Sequence, residues 1–282
     1  MAEITAANVA KLREMTGVGM MECKKALVEA GGDMDKAVDN LRKSGAASAA
    51  KKSLRDAREG IIAQYIVPGG KAGVLVEVNC ETDFVARNDS FKAFCDEMAK
   101  KVASNPSVDL EADRQAAVSK IGENIKIARN ARLEVSGNGL VAAYIHTGGK
   151  VGVLVEVGAG KAETANRDEF KQLVKDITLQ IAAGNPQAVS REQVAPEVIA
   201  KEREIAAQSD RLKGKPAQAM EKILAGVLDK FYQTYCLVDQ GFVKRNAEVS
   251  VKDHVAEVGK QIGDELVIRR FVRFQVGETP AA

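Results

Sequence analysis

Residues 60–78 read Gly-Ile-Ile-Ala-Gln-Tyr-Ile-Val-Pro-Gly-Gly-Lys-Ala-Gly-Val-Leu-Val-Glu-Val, and residues 139–157 read Gly-Leu-Val-Ala-Ala-Tyr-Ile-His-Thr-Gly-Gly-Lys-Val-Gly-Val-Leu-Val-Glu-Val. Tyr65 falls on Tyr144, Gly69-Gly70-Lys71 on Gly148-Gly149-Lys150, and Glu77 on Glu156, at a constant offset of 79. Each copy is two β-rich runs around a Gly-Gly turn, which predicts a hairpin. The repetition continues into helices, with Phe91-Lys92 on Phe170-Lys171, and both helices end near Asn-Pro (Asn105-Pro106, Asn185-Pro186). A third element recurs: Ile121-Gly122-Glu123 leads to Ile127, Arg129 and Val135 as Ile262-Gly263-Asp264 leads to Ile268, Arg270 and Val276. The chain therefore holds one unit twice, a hairpin, then helices, then a strand closing against the hairpin.

The Gly-Gly-Lys turns lack the G-x-x-x-x-G-K-[ST] spacing of a phosphate loop and lie between two strands, so no helix N-terminus faces a phosphate. Turn chemistry is their expected role.

The remaining segments divide the chain around this duplication. Residues 1–45 predict a three-helix module. Thr5 caps a first helix with Val9, Leu12 and Met15 on one stripe, and Gly17-Val18-Gly19 breaks it. Met20, Cys23, Leu27 and Ala30 share a face of the second helix, which Gly31-Gly32 ends. Asp33 caps the third, with Met34, Ala37, Val38 and Leu41, ending at Ser44-Gly45. Met20 and Met21 are either core or a soft contact surface. Residues 46–59 lack a wide apolar stripe and predict a solvated linker helix. Residues 60–137 form the first core subdomain and 138–282 the second. The second carries an insertion at about 196–236: Pro196–Leu212 and Pro216–Tyr235 read as two helices around Gly214-Lys215-Pro216. Their stripes, Val198, Ile205, Leu212 and Met220, Leu224, Val227, Phe231, predict an antiparallel coiled-coil hairpin projecting from the core. The fold class is α+β.

Composition excludes several functions. The chain has 282 residues, with 41 Lys+Arg against 39 Asp+Glu and a net charge of +2. That balance argues against a wholesale phosphate-binding surface and direct nucleic-acid binding. With no Trp, four Tyr and eight Phe, aromatic stacking platforms are not expected. Cys23, Cys80, Cys95 and Cys236 are far apart and have only two His to join them, so no metal site and no disulfide framework are legible. No apolar run reaches the roughly 20 residues of a membrane span, and Met1-Ala-Glu-Ile-Thr does not start a signal peptide. A reducing, cytoplasmic location is expected. His146 falls in the second hairpin turn and His254 on a polar helix, neither beside a nucleophile. Carboxylates look like scattered surface ion pairs. No catalytic constellation, cofactor or metal is expected, and the protein reads as a non-enzyme. A hydrolase or transferase would have to rely on Cys80 or His146.

One segment breaks the repeat. After Val78, copy one continues Asn-Cys-Glu-Thr82-Asp83-Phe84-Val85-Ala-Arg-Asn-Asp, where copy two has Lys161-Ala162-Glu163-Thr164 opposite Thr82–Val85. Phe84 in this polar loop either tucks into its own core or is a wedge for a partner's pocket, with Asp83 beside it.

These residues resemble one family over essentially the full chain. Leu12-Arg13-Glu14, Thr16-Gly17-Val18-Gly19-Met20-Met21-Glu22-Cys23-Lys24-Lys25-Ala26-Leu27, Glu77 through Ala86, Ile121-Gly122-Glu123-Asn124-Ile125, and Phe271-Val272-Arg273-Phe274-Gln275-Val276-Gly277-Glu278 are together similar to the bacterial elongation factor Ts family. The resemblance implies an N-terminal module like a ubiquitin-associated domain, two related core subdomains, and a coiled-coil insertion in the second. It implies a guanine-nucleotide exchange factor for the translational GTPase elongation factor Tu, in GDP-bound and nucleotide-free forms. In that family, the segment matching Thr82, Asp83, Phe84 and Val85 enters the GTPase near its magnesium site. The resemblance also makes Val18, Met20, Lys24 and His146 expected partner contacts. Two departures stand out: Ile127-Ala128-Arg129 where the family often has Ile-Arg-Arg, and only four residues after Glu278, without the helical tail of some members. A different reading of the chain is an interaction scaffold acting through residues 1–45.

Overall fold

The duplicated stretch folds into two three-stranded antiparallel sheets, in a computed structural model that describes residues 4–208 and 216–278. The first sheet contains β1 (Glu59–Ile66), β2 (Ala72–Cys80) and β3 (Lys126–Glu134), and the second contains β4 (Gly139–Ile145), β5 (Val151–Ala159) and β6 (Leu266–Gln275), each with its hairpin's second strand in the middle. Registers are equivalent. Tyr65 pairs with Val74 as Tyr144 pairs with Val153, and both sheets shift register just after the repeated glutamate, at Glu77/Val78 and Glu156/Val157.

The central strands are buried along nearly their whole length because both faces are covered. Strand alternation sends Val74, Val76 and Val78 towards helix α5 (Asp89–Ser104), and Val153, Val155 and Val157 towards α7 (Asp168–Gly184). The opposite faces meet each other through Ile62, Leu75, Leu133, Val141, Leu154 and Phe274. Close approach there requires glycine. A Cβ at Gly73 would lie 2.8 Å from a Leu154 methyl, and one at Gly152 would lie 2.5 Å from an Ile62 methyl. The result is a helix–sheet–sheet–helix stack of α+β class.

A reciprocal clasp locks the two sheets. Glu77 and Glu156 sit among the apolar side chains of this interface, with side chains 3% and 1% exposed. Glu77 takes the Arg129 guanidinium at 2.7 Å and the Gly277 N–H at 3.0 Å. Glu156 takes Arg270 at 2.7 Å, Arg269 at 3.0 Å and the Ser136 N–H at 2.7 Å. Arg129 and Arg270 also donate across the interface, to the Gln275 carbonyl and the Glu134 carbonyl respectively. Burial pushes the Glu156 carboxyl up, but the Ser136 N–H and the two guanidiniums outweigh it and hold the group below its usual range. These carboxylates correct the expectation of scattered surface pairs: buried charge persists only where it is paired and hydrogen-bonded. The Gly-Gly-Lys turns likewise do more than reverse the chain. Lys71 donates to the Gly139 carbonyl, while Lys150 donates to the Gly60 carbonyl and pairs with Glu59.

The N-terminal helices are α1 (Ala6–Thr16), α2 (Met20–Glu29) and α3 (Met34–Lys52), with Thr5 and Asp33 as side-chain caps. Their core is Val9, Leu12, Val18, Cys23, Ala26, Leu27, Ala37 and Leu41; Met15, expected on the buried stripe, is exposed. The expected stop at Ser44-Gly45 is absent, and α3 runs on through residues assigned to a solvated linker. Gly45 continues the helix because its bare backbone packs on α6 (Glu111–Ile121), where a Cβ would meet Ser119 Oγ at 2.5 Å. Ala49 is fully buried in the first subdomain's core.

In the second subdomain, α8 (Pro196–Ala207) packs on α9 (Ala217–Tyr235), and Val198 and Phe231 join a cluster around Ala188, Val194 and Cys236. Ile205 is exposed, whereas Ala206 and Leu228 are buried, so the stripe is displaced from the expected heptad positions. The predicted helix end at Leu212 and the Gly214-Lys215 turn lie outside the described residues. Helix α10 (Val251–Ile262) is amphipathic rather than polar. Its His254 stacks on Phe242 at 4.1 Å between ring centroids, and burial lowers its pKa.

Candidate functional site

Between β2 and α5 the chain forms α4 (Asp83–Arg87), a single helical turn. Thr82 is its N-cap, accepting the Val85 N–H at 3.3 Å. Ala86 is buried and Val85 packs against the core, which anchors one side of the turn. Phe84 points away from that side and is 80% exposed. Leaving such a ring in water forgoes about 2 kcal/mol of burial free energy. The core-tucked option for Phe84 is thereby overturned. Asp83 is held by Arg87 at 2.9 Å on the same turn.

The turn is fastened from outside. The Glu123 carboxylate accepts the Glu81 and Thr82 N–H groups at 3.0 Å each and the Thr82 hydroxyl at 2.6 Å. Glu81 in turn accepts the Asn124 N–H at 2.6 Å, and the Asn124 amide donates to the Arg55 carbonyl at 2.7 Å. Ala86 and Arg87 line one wall of a groove whose other wall is Ile145, Gly148 and Gly149 of the second hairpin turn. The groove thus runs between the C-terminal end of α4 and the turn after His146, and none of Thr82, Asp83, Phe84 or Val85 lines it. His146 is exposed, and its Nδ1 lies 3.1 Å from the Tyr144 hydroxyl.

Among the described residues, no group of three or more His, Cys, Asp or Glu could hold a metal ion, and no helix is long and apolar enough to cross a membrane. Cys80 is buried, and burial pushes its thiol up to about 12, which leaves almost no thiolate at neutral pH.

Residues 81–278 match the family model described as Elongation factor TS. Proteins named Elongation factor Ts are similar over nearly their whole length. That of Nitratidesulfovibrio vulgaris (strain DP4) is 44% identical, covering 99% of this chain and 98% of its own. That of Symbiobacterium thermophilum is 47% identical, covering 99% and 93%. The chain belongs to the elongation factor Ts family. As a member of that family it is a translation elongation factor.

The other residues expected to contact a partner divide by exposure. Met20 is 47% exposed and Lys24 is exposed, both on α2, so the chain presents them to solvent rather than to its own core. Val18 is different. It is largely buried in the module's core at 8% exposure, and its carbonyl accepts the Cys23 thiol, so only a small part of its side chain is offered to a partner in this conformation. In the turn Gly17-Val18-Gly19 the valine packs against the module core between its two glycines. Glu123, which fastens the turn, is a functional residue that motif reading alone does not single out. Its signal was available: an acidic residue follows the helix-ending glycine in both copies, Gly122-Glu123 and Gly263-Asp264.

Proposed function

We propose that this chain is a guanine-nucleotide exchange factor for elongation factor Tu, with Phe84 as its intruding group. The observation that carries the reading is a large aromatic ring displayed to solvent on a fastened helical turn. Nucleotide affinity in such GTPases rests on magnesium bridging the phosphates and on the phosphate loop's N–H groups. A ring wedged against the elements carrying those contacts shifts them as a unit, because packed elements switch rather than flex. Each 1.4 kcal/mol removed from the bound state speeds release about tenfold. Burying Phe84 in the partner recovers the apolar term forgone in the free factor. Asp83 then lies beside the metal's carboxylate and water shell. Thr82 and Val85 frame the ring, His146 contacts the partner from the second hairpin turn, and Met20 and Lys24 dock the N-terminal module. By linkage, bound GDP weakens factor binding by the same factor, so nucleotide concentration sets the direction of exchange.

Stopped-flow release of a fluorescent GDP from elongation factor Tu tests this. Catalytic amounts of the chain accelerate release, and Phe84→Ala lowers the acceleration about thirtyfold with circular dichroism unchanged. No acceleration by the wild-type chain would end the proposal. The scaffold reading makes the opposite forecast: residues 1–45 alone retain full partner binding.

A further inference from the structure

We infer that Glu123 is a positioning residue for exchange, aiming Phe84 through the Thr82 cap without itself entering the partner's site. This rests on the reading of Phe84 as the intruding group. Helix α4 has five residues, too few to be stable alone, so its orientation is set by its ends. Thr82 carries the N-terminal end. Its hydroxyl accepts the Val85 N–H, and the Glu123 carboxylate fixes the hydroxyl's direction by taking its proton at 2.6 Å. The same carboxylate takes the two backbone N–H groups that bring the chain into the turn. Without it, three donors lose their partner together and the cap is free to rotate. Phe84 then samples many directions, and the ordering it needs is drawn from the binding step.

The second copy supplies an internal control. Asp264 stands at the equivalent place and takes the Lys161 N–H at 3.0 Å and the Thr164 hydroxyl at 2.6 Å. That clamp holds a 3-10 turn, Glu163–Asn166, whose Thr164 and Ala165 are buried and which displays no ring. The two fastenings are alike in chemistry and differ in what they display.

The test is GDP release from elongation factor Tu with the full chain carrying Glu123→Gln, Asp264→Asn, Phe84→Ala, or Glu123→Gln with Phe84→Ala. Glu123→Gln is expected to slow stimulated release by about tenfold or more, since misplacement of a group by about 1 Å has effects of that order and above. Asp264→Asn stays within about twofold of wild type, and the double variant matches Phe84→Ala alone. A merely structural role would add its loss to that of Phe84→Ala. Full activity of Glu123→Gln, an additive double variant, or an equal loss in Asp264→Asn would each overturn the inference. Where Glu123→Gln fails to fold, Thr82→Val removes the same bond from the other side and must show the same non-additivity. Failure of the exchange reading is distinct: the wild-type chain would not stimulate release, or Phe84→Ala would match it.

Discussion

The two core subdomains share a frame down to single hydrogen bonds, yet their strand-to-helix loops have diverged. Glu77 and Glu156 each hold an arginine from the neighbouring strand and a backbone N–H from the other half. Lys71 and Lys150 each reach the carbonyl of the glycine that starts the other hairpin. Against that near two-fold identity, copy one shows Phe84 to solvent and copy two buries Thr164 and Ala165. Duplication preserved whatever crosses between the halves, because a change in one half would break its reciprocal in the other. The loops lie outside the clasp and were free to specialise.

Glutamate-to-alanine substitutions strike the shared frame hardest. Glu77→Ala and Glu156→Ala each remove a buried acceptor and leave a backbone N–H and the partly exposed guanidiniums at the interface without it, lowering unfolding free energy by about 3 kcal/mol, measured in urea. Similar losses at the two positions support the reciprocal clasp, and a loss confined to one would break it. Replacing Thr82–Val85 with Lys-Ala-Glu-Thr, the sequence of copy two, is expected to cut stimulated GDP release about thirtyfold, some 2 kcal/mol, with a fall of about 1 kcal/mol in unfolding free energy from the lost Thr82 cap. Retained activity would mean that the loops do not carry the functional difference. Lys71→Met and Lys150→Met each lower stability by about 1 kcal/mol, the loss of a hydrogen bond made by a charged donor.

The smallest effect is a pH asymmetry. His254 has its pKa lowered, first by burial beneath Phe242, with Arg245 and Lys244 adding to it against Asp176 and Glu257. Its folded pKa is below the unfolded one, so the unfolded chain binds more protons as pH falls under about 6.5. The stability contribution is complete above that pH and is lost on acidification through the folded pKa. His254→Gln flattens the urea midpoint between about pH 6.5 and pH 5, and an unchanged slope would show that His254 is not its source. The first subdomain has Asp113 at the corresponding place.

The repeat made the sheets legible, since strand alternation and a Gly-Gly turn are local signals and the constant offset marked the closing strands. Phe84 was visible for the same reason: it departs from a pattern the chain itself supplies. Long-range partners were hidden. Nothing local announces that Glu77 meets Gly277 or that Glu123 takes Thr82, although each acid recurs at its own offset. Gly45 misled because glycine ends isolated helices, whereas here α6 pressing against it favours the absence of a side chain.

Helix α6 ties these details together. Ser119 receives α3 at Gly45, the Lys120 side chain lies within 3.2 Å of where a Cβ on Gly17 would sit, and Glu123 follows just past the helix end. One short rail therefore bears both the N-terminal bundle and the mount of the exposed ring. The seat of the bundle and the angle of Phe84 share one support, and a distortion of this helix would reach both.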